Sequence, residues 1–88
     1  MNSVLNRHTI LNTLRQHKKY MESLGVLKIG LFGSYAVNQE TSTSDLDFIV
    51  DLAEHDHLYS NYCRLKYFLE DLFHLDFSQL LLKISFSH

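Results

Sequence analysis

The spacing of apolar residues along this chain changes from segment to segment, and each spacing predicts an element. Ile10, Leu11, Leu14, Met21 and Leu24 recur at helical intervals, and Gly25 follows where a C-terminal cap belongs. This predicts a first helix over about 4–24. "VLKIGLF", 26–32, is short and rich in β-formers, with Leu27, Ile29 and Leu31 on one face, and reads as a buried strand. "GSYAVNQ" follows as a tight turn at Gly33 leading into a short helix capped by Ser34. After the polar loop "ETSTS", the segment 45–52 alternates strictly. Leu46, Phe48, Val50 and Leu52 form one face, and Asp45, Asp47, Ile49 and Asp51 the other, which is the period of a strand. Leu58, Tyr62, Leu65, Leu69 and Leu72 then step by four and three, predicting an amphipathic helix over about 57–73. "HLDFSQ" is expected to form a third strand with Asp76 inside it. In the tail "LLLKISFSH", Leu80, Leu82, Ile84 and Phe86 alternate like a strand, but a ragged end fits equally well.

The order is helix, strand, short helix, strand, helix, strand. A small mixed β-sheet with flanking helices is the economical α/β solution for burying these faces. With 88 residues and no repeat or linker, one domain over 1–88 is expected, its segment 79–88 without an assigned place. A chain of this size buries only roughly 60% of its unfolded surface, so a ligand, metal or partner is expected to support it.

Charge sharpens the picture. The net charge of -2 hides a polarity: Arg7, Arg15, Lys18, Lys19 and Lys28 lie near the start, and an acidic block runs from Glu40 to Asp56. The basic stretch reads as a solvated face, and direct nucleic-acid binding is not expected. Cys63 is the only cysteine, so no internal disulfide is possible. No apolar run reaches membrane-spanning length and no secretory signal is evident, so a cytoplasmic location away from any membrane is expected.

The acidic face of 45–52 carries the candidate chemistry. Residues two apart on a strand point the same way, with Cα atoms about 6.5–7 Å apart. Asp45 and Asp47 can therefore converge on one hard divalent cation such as Mg²⁺, which keeps waters and takes substrate phosphate oxygens as its remaining ligands. A strand-to-helix turn at Gly33-Ser34 offers backbone N–H donors for those phosphates. Asp76 is the best-placed third carboxylate, either to take a proton from an incoming hydroxyl or to help hold a second metal ion. Taken singly, Gly-Ser is a turn and Asp-x-Asp a solvated strand edge; their combination at this spacing points to a phosphate site. Asp51 reads as a solvent-exposed strand end, and His55, Asp56 and His57 as ordinary surface.

Gly33-Ser34, ten intervening residues and Asp45-Leu46-Asp47 resemble the signature of the DNA polymerase beta-type nucleotidyltransferase superfamily. "LFGSYA" and "SDLDFIVDL" are most similar to its minimal nucleotidyltransferase (MNT) branch, over about residues 10–78. The resemblance implies the nucleotidyltransferase fold. It also implies a Gly33-Ser34 turn that binds the triphosphate of ATP, and paired Asp45 and Asp47 that hold Mg²⁺. Asp76, through "HLDFS", would complete the site, with room for two ions. MNT proteins are typically antitoxins paired with HEPN ribonuclease toxins, and members transfer AMP from ATP to a toxin tyrosine. The resemblance therefore implies an antitoxin in a hetero-oligomer with a HEPN-family toxin. The chain departs from the family at Val37-Asn38, where members often carry a basic residue and a glycine, which weakens the expected triphosphate grip. It also ends soon after the third strand, as a shortened copy would. Two other readings stay open: a non-enzymatic antitoxin that acts by binding alone, and a small-molecule nucleotidyltransferase, for which the chain leaves little room.

Overall fold

In a computed structural model, which describes residues 5–53 and 57–87, one mixed sheet carries the helices on a single face. The chain runs α1 (Arg7–Gln16), α2 (Lys18–Ser23), β1 (Val26–Phe32), β2 (Leu46–Ala53), α3 (Leu58–Phe73) and β3 (Leu80–Ser87). The strand order is β1-β2-β3, with β1 antiparallel to β2 and β2 parallel to β3 through α3. This is the expected α/β architecture of a small mixed sheet with flanking helices, consistent with the nucleotidyltransferase fold.

The expected first helix is broken. Asn6 caps α1: its side chain accepts from the Thr9 N–H at 2.9 Å, and Thr9 Oγ1 accepts from the Asn6 N–H at 3.1 Å. At His17 (φ -110°, ψ 17°) the backbone leaves helical geometry, and α2 starts afresh. The break lets His17 and Tyr20 both meet Phe68 of α3, with ring centroids 5.4 and 4.7 Å away. Gly25, at φ 87°, ends α2 in the left-handed conformation that the cap required.

β2 matches its pattern residue for residue. Leu46, Phe48, Val50 and Leu52 are at most 1% exposed and form the centre of the core with Ile10, Leu65 and Leu69. β1 departs from its pattern. The pairing register shifts between Val26 and Lys28, so Leu27 is an extra residue in a β-bulge. The bulge turns Leu27 outward to 55% exposure and leaves Val26, Ile29 and Leu31 against the core. β1 is thus an edge strand, not the buried strand that its composition suggests.

The third strand lies further along the chain than expected. "HLDFSQ" is not a strand: α3 ends at His74 in the left-handed conformation, and Phe77–Gln79 form one turn of 3₁₀-helix with Asp76 ahead of it. The ambiguous tail supplies β3 instead, with Leu80, Leu82 and Ile84 on the core side. Lys66 of α3 fixes its start by donating to the Leu80 carbonyl at 2.9 Å. α3 itself covers the expected span, burying Leu65, Leu69 and Phe73. Among the described residues, no helix is long and apolar enough to cross a membrane.

Candidate active site

The helices leave the other face of the sheet open, and alternation sends Asp47, Ile49 and Asp51 of β2 to it. Ile49 is 45% exposed there, and Leu81, Lys83 and Ser85 of β3 share the face by register. The candidate site occupies the end of this face where β1 finishes and β2 begins. Phe32, the last residue of β1, pairs with Asp47. Gly33 comes next.

Gly33 is required twice over. Its φ is +81°, a conformation that side chains rarely adopt, and an added Cβ would collide with the Asp47 carboxylate. The turn therefore brings backbone directly against the acid. Ser34 does not cap a helix; it is the first residue of a four-residue 3₁₀ turn, Ser34–Val37, whose preceding cap position is Gly33. So short a turn carries little of the dipole that a longer helix offers a phosphate. What the turn contributes is close backbone approach, held by Ala36 N–H donating to the Gly33 carbonyl at 3.1 Å and Gln39 N–H to that of Ser34 at 2.9 Å.

The loop from Thr41 to Ser44 closes on itself before the acids. Thr41 N–H donates to Ser44 Oγ at 2.8 Å, and Ser44 N–H to the Thr41 carbonyl at 3.1 Å. Asp45 follows, exposed, just ahead of β2. Asp47 is partly buried, and its Oδ1 is shielded from solvent without a hydrogen-bond partner. Burial raises the Asp47 carboxyl above its ordinary range, the Asp45 charge raises it further, and Lys83 pulls it back. Two neighbouring carboxylates, one with a desolvated and unanswered oxygen, fit a hard divalent cation that brings its other ligands with it.

Asp76 stands differently from the expectation. It is exposed and precedes the 3₁₀ turn, where its N–H donates to Gln79 Oε1 at 2.8 Å. Because β3 is parallel to β2 and Leu80 pairs with Leu46, Asp76 lies at the same end of the sheet as Asp45. The β3 neighbour of Asp47 is Leu81, not an acid. Among the described residues, no group of three or more His, Cys, Asp or Glu is placed to hold a metal ion. His55 and Asp56 lie outside the described residues.

The residue that the sequence reading passed over is Lys83. Its Nζ lies 5.3 Å from the centre of the Phe32 ring, beside the Gly33 turn. The signal was available, since Lys83 is the charged residue on the outward positions of an alternating segment. Glu40 was also passed over: its Oε1 is shielded without a partner, and it adds to the burial that raises the Tyr35 hydroxyl. An apolar groove lined by Leu11, Met21 and Leu27 lies at the opposite end of β1 and includes none of the site residues.

The nucleotidyltransferase domain family matches residues 14–86. A Methanocaldococcus jannaschii protein, provisionally named a protein adenylyltransferase, is 48% identical over 46 residues, covering 51% of this chain and 47% of its own. A second from that organism, with the same provisional name, is 41% identical over 64 residues, covering 72% of this chain and 64% of its own. Protein adenylyltransferase MntA of Thermococcus cleftensis is 40% identical over 53 residues, covering 59% of this chain and 54% of its own. The chain thus spans from about half to just under two thirds of the length of these relatives. No solved structure matches it.

Proposed function

Because this chain belongs to the nucleotidyltransferase domain family, we propose that it is a magnesium-dependent protein adenylyltransferase. In this reading it is an antitoxin that moves AMP from ATP to a hydroxyl, a tyrosine, of a HEPN-type ribonuclease toxin bound to it. The observation that carries the reading is the Asp47 carboxylate. It is pressed against the Gly33 turn, set beside Asp45 and left with an unanswered buried oxygen. Such an arrangement is unfavourable unless a cation completes it. The names of the relatives support a protein as the acceptor.

When bound, magnesium supplies charge neutralisation at the phosphates. Asp45 and Asp47 would hold it. The Gly33 turn and the Ser34 hydroxyl would seat the β- and γ-phosphates, positioning them for reaction. The acceptor oxygen attacks the α-phosphorus, the bond to the bridging oxygen of the β-phosphate breaks, and pyrophosphate leaves. The hydroxyl proton passes to a carboxylate, for which Asp76, at the same end of the sheet, is the candidate.

Incubation with the protein encoded by the neighbouring gene, α-labelled ATP and Mg²⁺ tests the reading. Label is expected on the partner. Asp45→Asn and Asp47→Asn should each reduce transfer by at least about a hundredfold. Asp76→Asn should slow transfer while leaving ATP binding unchanged. Asp76, expected inside the third strand, precedes it, and the β3 neighbour of Asp47 is Leu81; this favours the second reading, an antitoxin that silences by binding alone. That reading is supported if the complex forms and no label moves.

A further inference from the structure

The turn that receives the phosphates is poor in positive charge. Between Lys28 and Arg64 the sequence has no Lys or Arg. Lys28 pairs with Asp51, at the far end of β1 from Gly33. The triphosphate of ATP is highly anionic, and two carboxylates already stand in its site. One bound ion leaves an anionic excess that a nearby cation would offset.

The sheet brings such a cation from a different part of the chain. Lys83 pairs with Ile49 and so shares the open face with Asp47. β3 and β1 flank β2 on opposite sides. The Lys83 ammonium lies 5.3 Å from the Phe32 ring centre, so the two side chains, from opposite edges of the sheet, meet over β2. The aromatic face steadies a cation without neutralising it. Lys83 and Asp47 share the open face, yet the two close no direct ion pair and Asp47 Oδ1 keeps no hydrogen-bond partner. A lysine serving only as counter-charge would be expected to close that pair. This one is held beside it, with its donors available.

We propose that Lys83 is a phosphate-binding residue of this site, supplying from β3 the positive charge that the Gly33–Asn38 turn lacks. The inference rests on the nucleotide-binding reading given above and deepens it: the ligand recognised is the polyphosphate, by a donor outside the Gly-Ser and Asp-x-Asp elements. Lys83 is exposed, so Lys83→Met keeps the stem and the fold while removing the charge.

The test is equilibrium binding of ATP, ADP and AMP with Mg²⁺, and of Mn²⁺ alone, to the full chain as wild type, Lys83→Met, Lys83→Arg and Asp47→Asn. Lys83→Met should weaken ATP binding about tenfold, the worth of a charge-assisted hydrogen bond in a partly exposed site, and hardly change AMP. Lys83→Arg should stay within about threefold of wild type, since either cation serves an exposed phosphate. Mn²⁺ alone should bind Lys83→Met no more weakly than wild type, because a repelling charge is gone. Unchanged ATP binding by Lys83→Met, or equal losses for ATP and AMP, overturns the role of Lys83. The wider reading is judged separately, on whether wild type binds Mg-ATP and Asp47→Asn does not; if wild type binds no nucleotide, both fall.

Discussion

The two faces of β2 are built from the same eight residues and obey opposite rules. On the inward face Leu46, Phe48, Val50 and Leu52 are essentially fully buried, and the rings of Phe48 and Phe73 lie 6.0 Å apart. Each residue there is placed where its own solvation favours it. On the outward face Asp47 sits beside a like charge and against backbone, with an oxygen deprived of both water and a partner. One face stabilises the chain. The other gives up some of that stability, which is the feature on which the proposed cation site rests. The arrangement teaches where to look in a small domain: at groups whose local environment disagrees with them.

The largest effect should come from the inward face. Phe48→Ala should cost about 3–5 kcal/mol, most or all of the stability of so small a domain, and leave a denaturation curve without a folded baseline at 37 °C. A loss under about 1 kcal/mol would mean that the core is not where the sheet places it. Next comes the hinge between the faces. Gly33→Val should cost about 1–3 kcal/mol from the positive φ and the collision with Asp47, and remove Mg-ATP binding as well. Ser34→Ala should weaken binding only modestly, because the backbone donors remain. Equal tolerance of the two changes would separate the turn from the phosphates.

A smaller effect of opposite sign is expected at Asp47. Its folded carboxyl is raised above the ordinary value of 3.8, so the folded state holds this proton more tightly than the unfolded one. The stability it contributes is present below that ordinary value and lost as pH rises through the raised one; above it, the ionised group opposes folding. Asp47→Asn should therefore raise the metal-free Tm at pH 7. The gain should shrink as the pH falls toward 4, and the mutant should show no Tm rise with Mg-ATP where the wild type does. A destabilised Asp47→Asn would mean that the carboxylate serves the fold. The smallest effect belongs to Ile49, half exposed between the two aspartates of β2. Ile49→Thr should change stability by no more than about 0.5 kcal/mol in urea unfolding, against the several expected one position earlier on the same strand.

Local pattern determined β2, α3 and the turn at Gly33. The strict alternation of 46–52, the three-and-four stepping of 58–72 and a glycine ahead of Ser34 are properties of neighbouring residues, and local geometry enforces them. The closeness of the Gly33 turn to the acidic strand was legible for a related reason. A turn and a strand start separated by one short loop have few ways to avoid each other, and an added Cβ at Gly33 shows how close they come. Tertiary structure decided the rest. The break at His17 goes with a long-range contact, since it lets His17 and Tyr20 both meet Phe68, some fifty residues away in the chain. Leu27 faces out because a bulge forms only against a partner strand. The stretch around Asp76 and the tail were both plausible third strands. The tail pairs with β2, bringing Leu81 beside Asp47 and the Lys83 ammonium over Phe32. Register is a relation between strands, and no single strand carries it. The sequence by itself singled out Gly33-Ser34 and the Asp45-Asp47 pair as candidates; only the packed sheet decided which other residues stand next to them.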